Sequence, residues 1–319
     1  MSNLGSIIRK RLFGIAPGET TFEARGFRGG AAATRARLEN VGTAFSTGYH
    51  AALELDRAAE ITPLLDQVEL QFRGFAYEGA AMGLALRDWL TPWSRTRFNG
   101  FVRGAGDAHT YMAIVGAGWV LARVPGNVEK FMGRFDPLMR WLLIDGYGFH
   151  EGFFRWPRYL AGHPAPSRLR GYARRAFDQG LGRCLWFIEG AEAGRIVRTV
   201  GTFPRERLLD LWSGIGLASV YAGEVMDSEL IQLREAAGEF SPQLAQGAAF
   251  AAKARLRAGN LSSYQDVACG ILCGMTAREA AQVTDDALAN LPPDAAEPAY
   301  EVWRCRIQKR FGVLVEAHR

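Results

Sequence analysis

The stretch PLMRWLLIDGYGFHEG at residues 137–152 has two counterparts of similar style elsewhere in the chain. They are PLLDQVELQFRGFAYEG at 63–79 and RLLDLWSGIGLASVYAGE at 207–224. In each stretch an amphipathic segment is followed by glycines, aromatic residues and a glutamate near its end. This pattern is typical of a helix that is buried on one side. These glutamates, Glu78, Glu151 and Glu224, follow one another at intervals of 73 residues. Such regular spacing indicates an internal repeat.

Glycines mark nearly the same period. Gly42, Gly116, Gly190 and Gly259 are separated by 74, 74 and 69 residues. A glycine can end a helix in the left-handed conformation or let a second helix approach closely, and both uses suit stacked helices. A unit of this length supplies two or three helices, which bury their apolar faces only against neighbouring units. The sequence therefore predicts an all-α fold, a solenoid-like helical-repeat array of about four units of ~73 residues.

Two terminal segments differ from the predicted units. Residues 1–20 read as a basic amphipathic segment that closes with a turn at Pro17 and Gly18. Residues 21–319 are predicted to form a single repeat domain. In its degenerate last part, Thr276 and Glu279 have the spacing of a capping box at a helix start. The proline-containing break at 291–298 and the basic-aromatic helix after it are predicted to cap the array.

Composition limits the classes of function. Of 319 residues, 48% are hydrophobic, which is enough for a full core, and four cysteines are too few for a disulfide scaffold. The 38 basic residues are spread among 33 acidic ones rather than gathered in a stripe, which argues against nucleic acid as a partner. No leader peptide is recognisable and the best apolar run, at 111–122, is too short for a membrane span. These features predict a cytoplasmic protein.

Four residues are candidates for chemistry. His150 and Glu151 place a base beside a carboxylate, a pair suited to general acid–base catalysis. If the array curves, Glu78, Glu151 and Glu224 line one surface and can bind a cation or protonate a substrate. The alternative is structural: the glutamates cap helices or pair with arginines, and His150 packs in an aromatic helix. No His/Glu spacing of a helical metal site occurs, so no metal is predicted, and no motif identifies a cofactor.

Three phrases carry a resemblance to a known family. They are IDGYGFHEGFFRWP at 144–157, RAFDQGLGRCLWFIEGA at 175–191 and LWSGIGLASVYAGE at 211–224. They resemble the UnbL-type bacterial proteins, a family of unknown function encoded in enediyne polyketide gene clusters, and the likeness extends from about residue 22 to 311. The resemblance implies a role in maturing a polyketide-derived polyene toward the enediyne core. It implies no catalytic residue.

Two functional hypotheses follow. In the first, the chain is an accessory biosynthetic protein that binds or converts a long apolar polyene on a surface of aromatic residues, which are dense in the middle of the chain. In the second, it is a non-catalytic scaffold that organises partner enzymes of the same pathway, including a membrane-bound one. An enclosed aromatic cavity reaching His150 favours the first hypothesis. An open groove with its glutamates in arginine pairs favours the second.

Overall fold

The computed structural model describes residues 4–16 and 18–317, with side chains up to residue 313. All regular structure in this part of the chain is helical and no strand occurs in it, which confirms the all-α class. The α-helices in chain order are α1 (Leu4–Phe13), α2 (Phe22–Arg25), α3 (Ala32–Glu54), α4 (Ala58–Asp66), α5 (Leu70–Leu90), α6 (Arg97–Val102), α7 (Thr110–Arg123), α8 (Val128–Met132), α9 (Trp141–Leu160), α10 (Tyr172–Ile188), α11 (Ala193–Val200), α12 (Arg205–Tyr221), α13 (Asp227–Ala237), α14 (Ser241–Arg257), α15 (Ser263–Cys273), α16 (Ala277–Asp286) and α17 (Ala299–Ala317).

Eight of these helices pack in a continuous series. Helix α3 packs on α5, α5 on α7, α7 on α9 and α9 on α10; α10 then packs on α12, α12 on α14 and α14 on α16. The shorter helices lie between them in the sequence, and α17 returns to pack on α14. Each inner helix of the series therefore has a neighbour on two sides, which explains why helices such as α7 and α10 are buried along most of their length.

Glycines allow these helices to approach at backbone distance. Residues two apart on a helix point about 200° apart, so a Gly-x-Gly pair clears space on opposite sides. On α10, a Cβ at Gly180 would overlap the Asp145 carbonyl oxygen of α9, and one at Gly182 would overlap the Leu211 carbonyl oxygen of α12. The same arrangement recurs on three further helices of the series, at Gly116/Gly118, Gly146/Gly148 and Gly214/Gly216. These motifs pack helices closely between two neighbours.

The landmarks of the predicted repeat do not lie at equivalent places. Glu78 directly precedes Gly79, the glycine with which α5 meets α3, whereas Glu224 lies ten residues after Gly214 and outside α12. The glycine landmarks differ as well. Gly116 lies inside α7, while Gly190 follows the end of α10 with a φ of 61°. The 73-residue spacing thus combines unlike positions, and the solenoid of four units stays a prediction.

The series of helices also closes on itself. In the loop before α3, the backbone N–H of Arg28 donates to the carbonyl of Ile188 at the end of α10, at 2.7 Å. On α3, Nε of Arg37 donates to the carbonyl of Ala222 just after α12, at 3.0 Å. These contacts join the start of the series to its second half. The helices from α3 to α12 consequently surround a central space.

The predicted terminal features are partly tested. The basic amphipathic segment contains helix α1, while residues 1–3 and Pro17 lie outside the described residues. The capping box is confirmed: the Thr276 hydroxyl accepts from the backbone N–H of Glu279, and the Glu279 carboxylate accepts from the backbone N–H of Thr276. In the part of the chain that the structure covers, no helix combines the length and the apolar character required to cross a membrane.

Candidate functional site

The central space is a narrow cavity between six helices, α3, α5, α7, α9, α10 and α12. The lining side chains nearly fill it, because the space that a water-sized sphere can occupy is only about 30 Å³. Aromatic rings supply most of its surface: Phe45, Phe75, Trp119, Phe149, Phe153, Phe154 and Phe187. The rings also support one another, since Phe45 stacks on Trp119 with ring centroids 4.1 Å apart. Ile15 and Thr20, from the segment after α1, complete the lining. An apolar concave site with few polar groups is the usual form of a small-molecule pocket.

A second cavity adjoins the first. It lies between α7, α9, α10, α12, α14 and α17, and the space that a water-sized sphere can occupy in it is about 40 Å³. Arg183, Leu217 and Tyr221 line both cavities and therefore form the partition between them. The rest of its lining is largely apolar and includes Phe250 and Trp303. A molecule that reached from one cavity into the other past the three residues of the partition would be elongated.

Glu78 lies in the first cavity without a hydrogen-bond partner for its Oε1. Only 2% of the residue is exposed. Burial raises the pKa of Glu78 to about 8; the charge of Arg183 and the Trp119 indole lower it, and the charge of Asp145 raises it. The indole N–H of Trp119 lies close enough to lower the pKa of Glu78, but it makes no hydrogen bond of normal geometry to this carboxyl or to any other described residue. A native buried polar atom without a partner requires an explanation, and a ligand group is one.

The backbone of Glu78 is fixed by the close crossings of α5. The next residue, Gly79, lies against the Phe45 carbonyl of α3. The carbonyl of Glu78 lies against Gly116 of α7. A larger residue at either glycine would push the helices apart. The carboxyl is therefore held at a constant place between α3 and α7, at the inner side of the series.

An ion pair stands beside this carboxyl. Arg183 pairs with Asp145, and the Gln179 side-chain amide donates to the other oxygen of Asp145 at 2.8 Å. All three residues are at most 5% exposed. Asp145 thus has its charge and hydrogen bonds satisfied, whereas Glu78 does not. Tyr221, on the same partition, has a hydroxyl without a hydrogen-bond partner in the described part of the chain.

This arrangement can move a proton. A carboxyl with a pKa near 8 is mostly neutral at pH 7 and can donate a hydrogen bond or a proton, and its ionised form can take one back. The positive charge of Arg183 and the Trp119 N–H favour the ionised form of Glu78 once a proton has left. The site thus combines a general acid or base with groups that stabilise its conjugate form.

His150 is buried next to the cavity but does not line it. Its Nε2 accepts from Nε of Arg123 at 3.1 Å, and its ring meets the Trp119 ring edge-on with centroids 5.3 Å apart. Burial lowers the pKa of His150 to about 4, so the ring is neutral at pH 7. Its Nδ1 lies 3.7 Å from Oε1 of Glu151, beyond hydrogen-bond distance. The pair predicted for acid–base work is adjacent but not hydrogen-bonded.

Glu151 and Glu224 lie away from Glu78. Glu151 is buried and accepts from the Tyr159 hydroxyl at 2.6 Å, with Arg155 at 3.4 Å. Burial raises the pKa of Glu151, but the interactions with His150, Tyr159 and Arg155 outweigh this effect and bring the pKa below its usual value. Glu224 is on the surface, with a side chain 45% exposed that pairs with Arg37 at 2.5 Å. The three glutamates therefore do not line one surface.

Asp145, Arg183 and Tyr221 were not among the residues predicted from the sequence as candidates. A signal for Asp145 exists beside the crossing glycines. A buried polar residue directly precedes the glycine that meets the previous helix on five helices of the series: Glu78, Asp145, Gln179, Ser213 and Gln246. A polar residue next to a glycine in an otherwise apolar helix marks the buried polar positions of this fold.

Three potential metal ligands also lie close together at the start of α17. One oxygen or sulfur atom each of Glu297, Glu301 and Cys305 lies within 4.8 Å of the others. Glu301 is already engaged: it accepts from Arg175 and from the Tyr172 hydroxyl, each at 2.6 Å. These contacts explain the cluster as part of an ion-pair network.

Comparison with known proteins places the chain in a family. A family model described as "Protein of unknown function (DUF1702)" matches residues 4–311. The chain belongs to this family. The match includes both cavities and nearly all described helices. No curated protein and no solved structure matches the chain.

Proposed function

We propose that this protein binds an elongated apolar small molecule in its central cavity, where the aromatic side chains move apart to admit it, and that Glu78 exchanges a proton with a polar group of that molecule. The observation that carries the proposal is the Glu78 carboxyl, buried at an aromatic cavity with one oxygen unpartnered. Leaving a buried polar atom unsatisfied costs roughly 1–3 kcal/mol. A ligand group at this place would remove that cost.

The cavities define the class of ligand. Aromatic and aliphatic side chains form most of both linings. Apart from Lys253, their charged side chains are those of Glu78, Asp145 and Arg183. Tyr221 lies with Arg183 at the partition. A matching ligand is apolar over most of its length and has one polar group, such as a conjugated carbonyl, near the partition. Proton transfer from Glu78 to that group and return of a proton from the ligand would shift a double bond with no other reactant.

A polyene of the kind made by an enediyne-type polyketide pathway belongs to this class, and the resemblance noted in the sequence supports it. In this form of the proposal the protein is a cytoplasmic accessory protein of such a pathway. The alternative, a non-catalytic scaffold for partner enzymes, draws support from Glu224, which pairs with Arg37 at the surface, and from His150, which the central cavity does not reach. The unpartnered Glu78 carboxyl favours the first form, because holding partner proteins at the surface does not require an unpaired carboxyl group in a buried cavity.

Binding of an uncharged linear polyene tests the proposal. The probe is diphenylhexatriene, whose fluorescence rises in apolar surroundings. It is titrated into protein from which bound lipids have been removed on a hydrophobic resin, a step that does not unfold the protein. The blocking variant is Ala218→Phe, because Ala218 lines the central cavity from α12 and a phenyl ring there takes up its volume. Ala218→Ser at the same site keeps the space and is the matched control.

We expect saturable binding by the wild type and by Ala218→Ser, and a loss of about tenfold or more in affinity for Ala218→Phe, since the ring occupies the site. Circular dichroism and thermal melting confirm that the variants are folded. If the folded Ala218→Phe variant binds the probe as well as the wild type does, the cavity is not the ligand site. Absence of saturable binding by the wild type also contradicts the proposal.

A further inference from the structure

Helix α1 has its apolar side turned to solvent. Leu4, Ile7, Ile8 and Leu12 are 71%, 52%, 49% and 69% exposed. The residues turned toward the rest of the protein are Ser6, which is buried, and Arg9 and Phe13, which are half-buried. An ordinary surface helix has the opposite orientation, with its apolar stripe on the core.

The exposed side chains are concentrated on this one helix. Eleven large hydrophobic residues of the described chain are exposed, and four of them lie within the ten residues of α1. The others are scattered: Leu64, Leu70, Trp93, Met226, Ile231, Val267 and Val313. Single exposed apolar residues are normal on a protein surface, but a contiguous group of this kind marks an interaction surface.

The orientation of α1 is fixed by its polar side. Nε of Arg9 donates to the Leu53 carbonyl at the end of α3, at 2.9 Å, and Lys10 forms an ion pair with Glu54. At the last residue of α1, the Phe13 carbonyl accepts a hydrogen bond from the Tyr49 hydroxyl of α3 at 2.8 Å. These bonds hold the helix against α3 with its leucines and isoleucines outward. The exposed stripe is thus a consequence of specific contacts.

Basic residues accompany the stripe. Lys10 and Arg11 are exposed on α1 itself. The loop after α5 adds an exposed Arg95 and a Trp93 that is 82% exposed. This loop begins near α1, because Arg9 of α1 donates to the Leu53 carbonyl and Arg87, in the last turn of α5, donates to the neighbouring Ala52 carbonyl. The acids at this end, Glu54 and Asp56, are each paired, with Lys10 and Arg87.

We propose that α1 docks this protein on an anionic lipid surface, with Leu4, Ile7, Ile8 and Leu12 inserted at the boundary between headgroups and acyl chains. A short helix with an apolar face and flanking lysine and arginine binds such surfaces by apolar burial together with attraction to anionic lipids. An exposed tryptophan is a typical membrane-interface residue. A second copy of the chain is a poorer occupant, because α1 has three basic residues and no acidic one, so two copies of this helix packed together would bring like charges close.

Flotation with vesicles tests this surface. Full-length protein is mixed with vesicles of phosphatidylcholine alone or of phosphatidylcholine with phosphatidylglycerol, and the bound fraction is measured. The disrupting variant is Leu4→Ser/Ile8→Ser. The matched control is Met226→Ser/Ile231→Ser, which removes two exposed apolar side chains from a different part of the molecule. Circular dichroism verifies folding in both.

We expect binding to the anionic vesicles, weaker binding to phosphatidylcholine alone, and a loss of about tenfold or more in the Leu4→Ser/Ile8→Ser variant only. Arg11→Gln should reduce binding to anionic vesicles and leave binding to phosphatidylcholine unchanged. Equal binding by wild type and Leu4→Ser/Ile8→Ser, or absence of binding to anionic vesicles, overturns the proposal. So does a concentration-dependent dimer, seen by sedimentation without lipid, that Leu4→Ser/Ile8→Ser abolishes.

Discussion

At the scale of single residues, Glu78 and Asp145 are two buried carboxyl groups that differ in their hydrogen-bond and ion-pair partners. Both are at most 2% exposed. Asp145 has the Arg183 guanidinium and the Gln179 amide as partners, whereas Oε1 of Glu78 has none among the described residues. A buried carboxyl without a partner resists ionisation, because the charged form loses its hydration. We therefore expect Glu78 to be the group whose charge state responds if a ligand enters the cavity.

The raised pKa of Glu78 predicts a pH-dependent stability difference for Glu78→Gln. The ordinary pKa is 4.5 and the folded-state pKa is about 8, so between these values the folded state keeps a proton that the unfolded state has lost. The free energy of unfolding of the wild type therefore falls as pH rises through this range, by up to about 1.4 kcal/mol per pH unit. The glutamine variant lacks this loss, so its stability relative to the wild type should increase from pH 5 to pH 8.

Urea unfolding of both proteins at several pH values measures that difference. Glu224→Gln is the control, because Glu224 is a surface carboxylate in an ion pair. Its stability relative to the wild type should change far less over the same range. A Glu78→Gln difference that stays constant from pH 5 to pH 8 would show that Glu78 is ionised in the folded protein.

At the scale of helices, the crossing glycines set the distance between neighbours. Gly180→Ala places a Cβ against the Asp145 carbonyl of α9, and the helix backbones must separate to accept it. Overpacking of this kind costs about 1–3 kcal/mol or more. We expect a loss of this size in the free energy of unfolding, measured by urea titration.

Gly270→Ala is the matched control for this substitution. Gly270 lies in α15, and a Cβ there would meet no atom within 4 Å beyond its chain neighbours and the backbone of its own helix. Alanine should stabilise this helix by about 0.5–1 kcal/mol, because it restricts the unfolded chain and favours helix. If both alanine variants change stability alike, close helix contact is not the reason for the glycines.

Helices were predictable from the sequence because their signals are local. The apolar period and the Thr276–Glu279 capping box act within a few residues. The repeat was inferred from glycines whose structural roles depend on tertiary contacts. Gly116 lies against a neighbouring helix, whereas Gly190 follows the end of a helix with a positive φ. Similarly, the sequence selected Glu78 as a candidate but could not show that its surroundings differ from those of Glu151. Arg183 reaches Asp145 from 38 residues away, and no local pattern reports such a pairing.

At the scale of the whole molecule, the cavity depends on closure of the helix series. Arg255, a buried residue of α14, donates to the Gln71 carbonyl of α5 at 2.8 Å and to the Tyr221 carbonyl of α12. It thereby ties the first half of the series to the second. The segment after α1 adds Ile15 to the cavity lining, with its N–H donated to Nε2 of His50 at 3.1 Å. The proposed lipid-docking helix is thus directly connected to the cavity lining.

Infrared difference spectroscopy of the wild type and Glu78→Gln tests most directly whether Glu78 is a neutral acid in a ligand cavity. At pH 7 the difference should contain the C=O stretching band of a protonated carboxyl. Diphenylhexatriene, which carries no carboxyl, should shift that band when it binds, because it changes the surroundings of Glu78. Absence of a protonated carboxyl band, or a band that saturating probe leaves unchanged, would contradict the proposed function of the cavity.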